Sequence, residues 1–370
     1  MVAKHEQLKK LETIQPIPEL PDLTGWKQIP IVEGERSREP LVPVGLFSDH
    51  VDILTSSVYA NEHHNSPYGG GLEGSNITVF MRKGVAGKLD VAASILPSGQ
   101  YLMVMDGYRS LEVQGSLYKQ YESGVVEQHP DWTEDEVATE TQKYVSAPST
   151  DPTKPSPHNT GASVDVVIVE VDASAQRVIE KIDERLQLLD ESDWQGHYLL
   201  VMRRDALLRR SAKMLDFGTR FDYGGPEAAL RYLEEKATAQ ELTPEEERAL
   251  HNRRLLFSVM TAAGLEPYAD EWWHYNDPAS QMGAKVAGRE SAEYGAVTMS
   301  RENKEFAQMR NAHHRNSVLL ANGYEWTPPK GLEEHYELAR RAVWANDLKN
   351  VWDLTMTVAK IEPPKEDKAA

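Results

Sequence analysis

The chain has 370 residues, 40 Lys plus Arg against 58 Asp plus Glu, a formal charge of −18, and no cysteine. So acidic a surface repels a phosphate backbone, which argues against nucleic-acid partners. Without cysteine, disulfides and thiolate metal sites are excluded, so a transition metal must be held by His, Asp or Glu, and 12 His are present.

Hydrophobic residues at 40% and charged residues at 26% fit a soluble globular protein of one large domain or two smaller ones. No apolar run approaches the roughly 18 residues of a membrane helix. The start, MVAKHEQLKKLETIQPIPELPDL, lacks the apolar core of a secretory leader. A cytoplasmic location with no membrane partner is the expectation.

Residues 1–45 are rich in proline (Pro16, Pro18, Pro21, Pro30, Pro40, Pro43) and read either as an extended arm on the core or a partner, or as a loose tail. Helical spacing begins at Val85 and runs through Leu89, Ala92, Ala93 and Leu96, with Pro97-Ser98-Gly99 as the stop. Tyr101–Met105 is a short apolar run, hence a buried strand, leading into Asp106-Gly107-Tyr108-Arg109. Helices are expected over 110–121 and 133–145, then a Pro/Ser/Thr loop, then a β-branched strand over Ala162–Val169. Residues 173–215 read as charged helix, and Phe217–Gly225 as a Gly-rich turn. A long helix is expected from Pro244 to about Ala263, with Thr243 as N-cap, Glu246 completing a capping box and Gly264 as the stop. Tyr268–Tyr275 is strand-like, and 281–362 reads as polar loops with two or three helices, one over Glu333–Ala345.

Two segments carry metal-binding side chains. In SPHNTGASVD (156–165), a loop histidine, His158, precedes Asp165 on the incoming strand, and Gly161 between them permits a tight turn. In EWWH (271–274), Glu271 and His274 flank two tryptophans, and both can serve one site only if the chain bends, since strand residues three apart face opposite ways. Alone, the first reads more readily as a surface hydrogen-bonded pair and the second as an aromatic core segment with a satisfied histidine. Together, His158, Asp165 and His274 supply two imidazoles and one carboxylate, a ligand set for an open zinc site with a position left for water. Glu271 would then be the general base, and Arg109, at the end of an apolar strand, would face the developing oxyanion. The adjacent pairs His63-His64 and His313-His314 read as solvated, the run 244–248 as a helix's first turn, and Gly69-Gly70-Gly71 as a flexible loop.

The segments DGYRS (106–110), SPHNTGASVD (156–165), FGTRFD (217–222) and DEWWHYN (270–276), in that order, resemble those of the zinc D-alanyl-D-alanine dipeptidases, related to D,D-carboxypeptidases and to the Hedgehog fold. NRRLLFSVMTAAGLEPY (252–268) resembles the helix that leads into the last motif. The resemblance spans roughly residues 50–276. It implies an α+β fold, with a small, mainly antiparallel sheet carrying the zinc and helices packed around it. It implies His158, Asp165 and His274 as ligands of one Zn2+ per chain, Glu271 as catalytic base and Arg109 as transition-state stabiliser. Ser156 and Asp222 match residues that hold the substrate's amino terminus, and Tyr59 matches a pocket tyrosine. The implied reaction is hydrolysis of D-Ala-D-Ala or a similar small D,D-dipeptide. The alternatives are a D,D- or L,D-carboxypeptidase or endopeptidase of the same superfamily, or a non-catalytic binding protein. The chain departs from the family pattern at about 173–215 and after 276. It therefore divides into a Pro-rich arm (1–45), a catalytic domain (46–280) with a helical insertion (about 173–215), and a mainly helical extension (281–370). The insertion or extension offers a surface for homo-oligomerisation.

Overall fold

The computed structural model describes residues 14–301 apart from 47, 49–51, 61–70, 143–144 and 191–192, together with 303, 304, 307, 311 and 317. The expected 333–345 helix, both histidine pairs and Gly69-Gly70 lie outside the described residues.

Strand β1 is Leu41–Pro43, β2 Leu54–Thr55, β3 Phe80–Arg82, β4 Gln100–Asp106, β5 Ser163–Glu170, β6 Lys213–Met214, β7 Glu266–Pro267 and β8 His274–Asn276. The helices are α1 Lys83–Ser94, α2 Leu111–Gln128, α3 Glu134–Thr141, α4 Ala173–Leu188, α5 Trp194–Ser211, α6 Tyr232–Ala239, α7 Pro244–Ala262 and α8 Gln281–Val286. The main sheet runs β2-β4-β5-β8-β7, with β6 also on β5, and only the β2–β4 pairing is parallel. β1 and β3 form a separate antiparallel pair. The fold is α+β.

Strand β5 is the axis of the core. Its first seven residues are buried, as its unbroken Val-Val-Ile-Val run dictates for a strand covered on both faces. Helix α1 packs Val85, Ala86, Leu89 and Ala92 onto this sheet, and α7 adds Leu256, Val259 and Met260. Thr243 caps α7 by accepting from the Glu246 amide, and the Glu246 carboxylate accepts from the Thr243 amide. Gly264, at φ 81°, ends the helix. Among the described residues, no helix is long and apolar enough to cross a membrane.

The regions outside the resemblance are built into this core. From residue 14 the arm is packed: Ile17 is buried, its amide donates to Glu234 at 2.8 Å, and Arg231 donates to its carbonyl at 2.7 Å. The α4–α5 hairpin contributes Ile179 and Leu208 to the main core. Of its charges, Arg204 pairs with Asp183 of α4 and with Asp52 outside the hairpin, and Arg209 pairs with Asp205. Past α8, Ala292 bridges to Ile31 of the arm, and the Val297 amide donates to the Asn159 carbonyl.

One expectation needs correction. The strand-like Tyr268–Tyr275 stretch is a strand only from His274 onward; residues 268–273 form a turn between β7 and β8. Aromatic β-propensity is overridden here by tertiary packing of the two tryptophans.

Candidate active site

The sheet register brings the site together. β5 and β8 place Asp165 opposite His274, and β4 and β5 place Asp106 opposite Asp165. The second pairing depends on an irregularity. Val104 lies opposite Val166, so a regular ladder would set Asp106 against Val164; instead Met105 is an extra residue between the two pairs. This bulge turns Asp106 to the face that carries Asp165 and His274.

His158 enters from a 3-10 turn, His158–Thr160, that ends on Gly161 at φ 68°. A Cβ on Gly161 would lie 2.6 Å from Leu41 Cδ2, so only glycine fits. Buried Arg82 fastens this turn through Nε to the Thr160 carbonyl at 2.9 Å and its own amide to the Gly161 carbonyl. The Arg109 amide donates to the His158 carbonyl at 3.2 Å.

His158, Asp165 and His274 are all buried, with ligand atoms within 4.8 Å of one another. His158 Nε2 is 3.2 Å from His274 Nδ1 and 3.5 Å from Asp165 Oδ2, and His274 Nδ1 is 2.9 Å from Asp165 Oδ1. The outer ring nitrogens fix the tautomers. His158 Nδ1 faces only acceptors, the Gly107 carbonyl at 2.9 Å and Asp106 Oδ2 at 3.1 Å, so it carries the proton. His274 Nε2 donates to Asn276 Oδ1 at 3.1 Å, which also accepts from Ser163 at 2.6 Å. Both inner nitrogens therefore present lone pairs to each other and to a carboxylate. Three acceptors facing inward without a donor suit a divalent cation, and the outer partners are those that orient metal-binding histidines. A proton competes with an ion for this inner position. Burial favours neutral His158, but Asp165 and Asp106 outweigh it and raise the ring's pKa. Burial also opposes the charge on Asp165, yet the two histidines hold that carboxyl well below the usual range.

Glu271 stands in the 268–273 turn, with Oε2 3.7 Å from His274 Nδ1 and its side chain 36% exposed toward the cleft. The turn supplies the bend that the sequence required: the His274 amide donates back to the Glu271 carbonyl at 3.3 Å. Trp272 stacks on Phe217 at 4.2 Å and donates to Thr219 at 2.8 Å, while Trp273 packs on Phe221 at 5.3 Å. These contacts bolt the turn to the 217–222 loop. Desolvation pushes the Glu271 carboxyl up to about 7; His274 and Arg109 pull against this, while Asp165 and Asp222 reinforce it.

Arg109 lies over the Tyr59 ring at 4.6 Å. Nε and Nη2 donate to Asp106 at 3.0 and 2.6 Å, and Nη1 donates to Gln114 at 3.0 Å. Burial opposes its charge, but Asp106 more than compensates and raises its pKa, so it stays cationic. Three of its five N–H donors are used among the described residues, and two remain for a ligand.

Ser156 and Asp222 line the same cleft of about 290 Å³, together with Trp26 and Lys27 of the arm. The Ser156 hydroxyl is buried with no partner among the described residues, a costly state that a ligand's donor would relieve. Asp222 sits at φ 60°, among the described residues the one non-glycine at positive φ, which points to a constrained site. Its loop is clamped from inside the fold: buried Arg253 donates to the carbonyls of Phe217, Glu227 and Ala229 at 2.7–2.8 Å.

All eight residues singled out from the sequence line this one cleft. The sequence reading assigned no role to Asp106, Gln114, Asn276 or Arg253. Asp106 was within reach, since it opens the DGYRS motif; the others carry no local signal.

Residues 202–290 match the family model described as D-ala-D-ala dipeptidase. The match supports assignment to the M15 peptidases. It covers Asp222, Glu271 and His274, while His158, Asp165 and Arg109 lie outside it and join the site through the register of β4, β5 and β8. No curated protein matches the chain. A peptidase family match and a buried His-Asp-His group together support a metallopeptidase.

Proposed function

We propose that this protein is a zinc-dependent dipeptidase that hydrolyses D-Ala-D-Ala or a similar small D,D-dipeptide. The observation that carries the reading is the convergence of three inward-facing acceptors, His158 Nε2, Asp165 and His274 Nδ1, with a raised carboxyl, Glu271, 3.7 Å from one of them. His158, Asp165 and His274 would hold the ion, which supplies Lewis-acid polarisation and a lowered pKa for water. Glu271 accepts the proton of the attacking water and delivers it to the leaving amine, a role that a carboxyl titrating near neutrality suits. The two spare N–H groups of Arg109 face the oxygen on which negative charge develops. The Ser156 hydroxyl accepts from the substrate's ammonium and Asp222 supplies its counter-charge, so a free amino terminus is required. Asp106 behind His158 and Arg109, Asn276 behind His274 and Arg253 behind the Asp222 loop hold this geometry.

The test is direct. Zinc-loaded protein should hydrolyse D-Ala-D-Ala, and Glu271→Ala should lose roughly 10²–10⁴-fold in kcat while binding zinc as wild type does. An N-acylated dipeptide should be refused. Release of D-Ala from a pentapeptide without cleavage of any free dipeptide would instead establish a carboxypeptidase.

A further inference from the structure

One wall of the candidate active cleft is built by a segment that the family resemblance does not reach. Trp26 and Lys27 line the cleft together with Ser156, Pro157 and Met282. They belong to a 3-10 turn, Trp26–Gln28, which the chain enters through Gly25 at φ 79°. The turn is held from both sides. Upstream, Ile17 is fastened to Glu234 of α6 and to Arg231 just before it. Downstream, the Val32 amide donates to the Ala292 carbonyl at 2.8 Å, and the Ala292 amide donates to the Pro30 carbonyl at 2.9 Å. Between these anchors, buried Gln281 at the start of α8 donates through Nε2 to the carbonyls of Ile29 at 2.6 Å and Thr153 at 3.0 Å. The arm is therefore a strap from α6 to the segment after α8, with its middle pinned to the loop that leads into Ser156. The Trp26 ring is half-buried, and the Lys27 ammonium lies 5.3 Å from its centroid.

We infer that Trp26 is a specificity-determining residue: its indole is a stop at the amine end of the cleft, limiting the substrate to one residue on the amino side of the scissile bond. The inference rests on the dipeptidase reading of the cleft. In that reading Ser156 and Asp222 hold the ammonium of the first residue, so a further residue would extend past Ser156. That is the side on which Gln281 pins the strap to Thr153, three residues before Ser156. The ammonium clamp alone discriminates poorly against such an extension, because the longer peptide carries its own ammonium on a flexible stem. A fixed indole removes the room for that stem, and a clash rejects what a displaced contact would tolerate. Trp26 lies outside both the family-matched segment and the resembling residues, so the stop is this chain's own addition to the cleft.

The experiment measures kcat/KM of the zinc-loaded full chain on D-Ala-D-Ala and on Gly-D-Ala-D-Ala. The tripeptide is scored by release of Gly-D-Ala, so that only cleavage of the same bond counts. Wild type should cleave the tripeptide about 100-fold or more below the dipeptide. Trp26→Ala should raise kcat/KM on the tripeptide about tenfold, and lower it on the dipeptide about two- to fivefold through KM, because the dipeptide loses a wall. Changes of opposite sign cannot come from a loosened fold, which would slow both. Trp26→Phe, which keeps a ring in place, should gain less on the tripeptide than Trp26→Ala does, and an equal gain overturns ring bulk as the cause. If Trp26→Ala cleaves the tripeptide no better than wild type, or wild type cleaves the two substrates alike, the stop is overturned and the dipeptidase reading stands. If wild type leaves D-Ala-D-Ala uncleaved, both readings fall together.

Discussion

Two buried polar clusters lie a few residues apart on the same segment, and they solve opposite problems. At Asp277, three residues beyond His274, every charge meets its complement. Arg36 donates to both Asp277 oxygens at 2.7 and 3.0 Å, Lys88 sits at 2.6 Å, and Tyr294 links Arg36 to Glu39. This cluster ties the arm, α1 and the segment after α8 into one unit. At His158, Asp165 and His274, three acceptors confront one another with no donor inside. A closed cluster holds structure; an open one holds a ligand. Burial is common to both, so burial alone does not mark a functional site. What marks it is an imbalance of donors and acceptors.

Three perturbations test this contrast, in falling order of size. Removing one side of the closed cluster should be the most disruptive. Asp277→Asn leaves Arg36 and Lys88 uncompensated and should cost about 3–5 kcal/mol of stability by chemical denaturation. The wild-type pair also sets an acid limit. Burial opposes charge on Asp277, but Arg36 and Lys88 depress its folded pKa below the unfolded value, so its contribution is present above that value and lost as pH falls through the folded pKa. Asp277→Asn should therefore flatten the loss of stability on acidification below about pH 4; an unchanged acid profile would place the sensitivity elsewhere.

The open cluster should behave differently. Asp106→Asn keeps shape but weakens the partner of His158 Nδ1, and should cost roughly 10–100-fold in zinc affinity by competition titration, together with the apo stability that its ion pair with buried Arg109 contributes. Zinc affinity should also fall with falling pH, because protons compete for the same inner nitrogens. The smallest effect belongs to the insertion. Arg204 pairs with Asp183 and Asp52, whose side chains are 38% and 73% exposed, so Arg204→Ala should cost less than about 1 kcal/mol and leave zinc binding untouched. A large loss of zinc there would tie the insertion to the site.

The parts legible in the sequence are those with local causes. Thr243 and Glu246 announce the start of α7 because capping is a four-residue affair. The β-branched run announces β5, because a doubly covered strand needs apolar residues throughout. His158, Asp165, Glu271 and His274 were legible because metal chemistry narrows residue types, and the family resemblance supplied Ser156, Asp222 and Tyr59. What was hidden depends on partners distant in sequence. The 268–273 turn is shaped by Phe217, Thr219 and Phe221, some fifty residues upstream. Arg253 reads as one more helix charge, but three carbonyls of another loop consume it. The arm's fate was ambiguous because proline excludes helix without saying what the extended chain lies against.

The irregularity in β4 makes the alignment of this site a matter of counting. Met105 packs in the core, and its carbonyl accepts from Val58 at 3.0 Å, yet its larger effect is to occupy one place in the chain. Met105→Leu keeps that place and should be nearly silent. Deleting Met105 would remove the bulge and leave Asp106 opposite Asp165 in a regular ladder, whereas one residue inserted between Met105 and Asp106 would set Asp106 against Val164 and turn its carboxylate away from His158 and Arg109. The site thus tolerates spelling changes at this position and not a lengthened word.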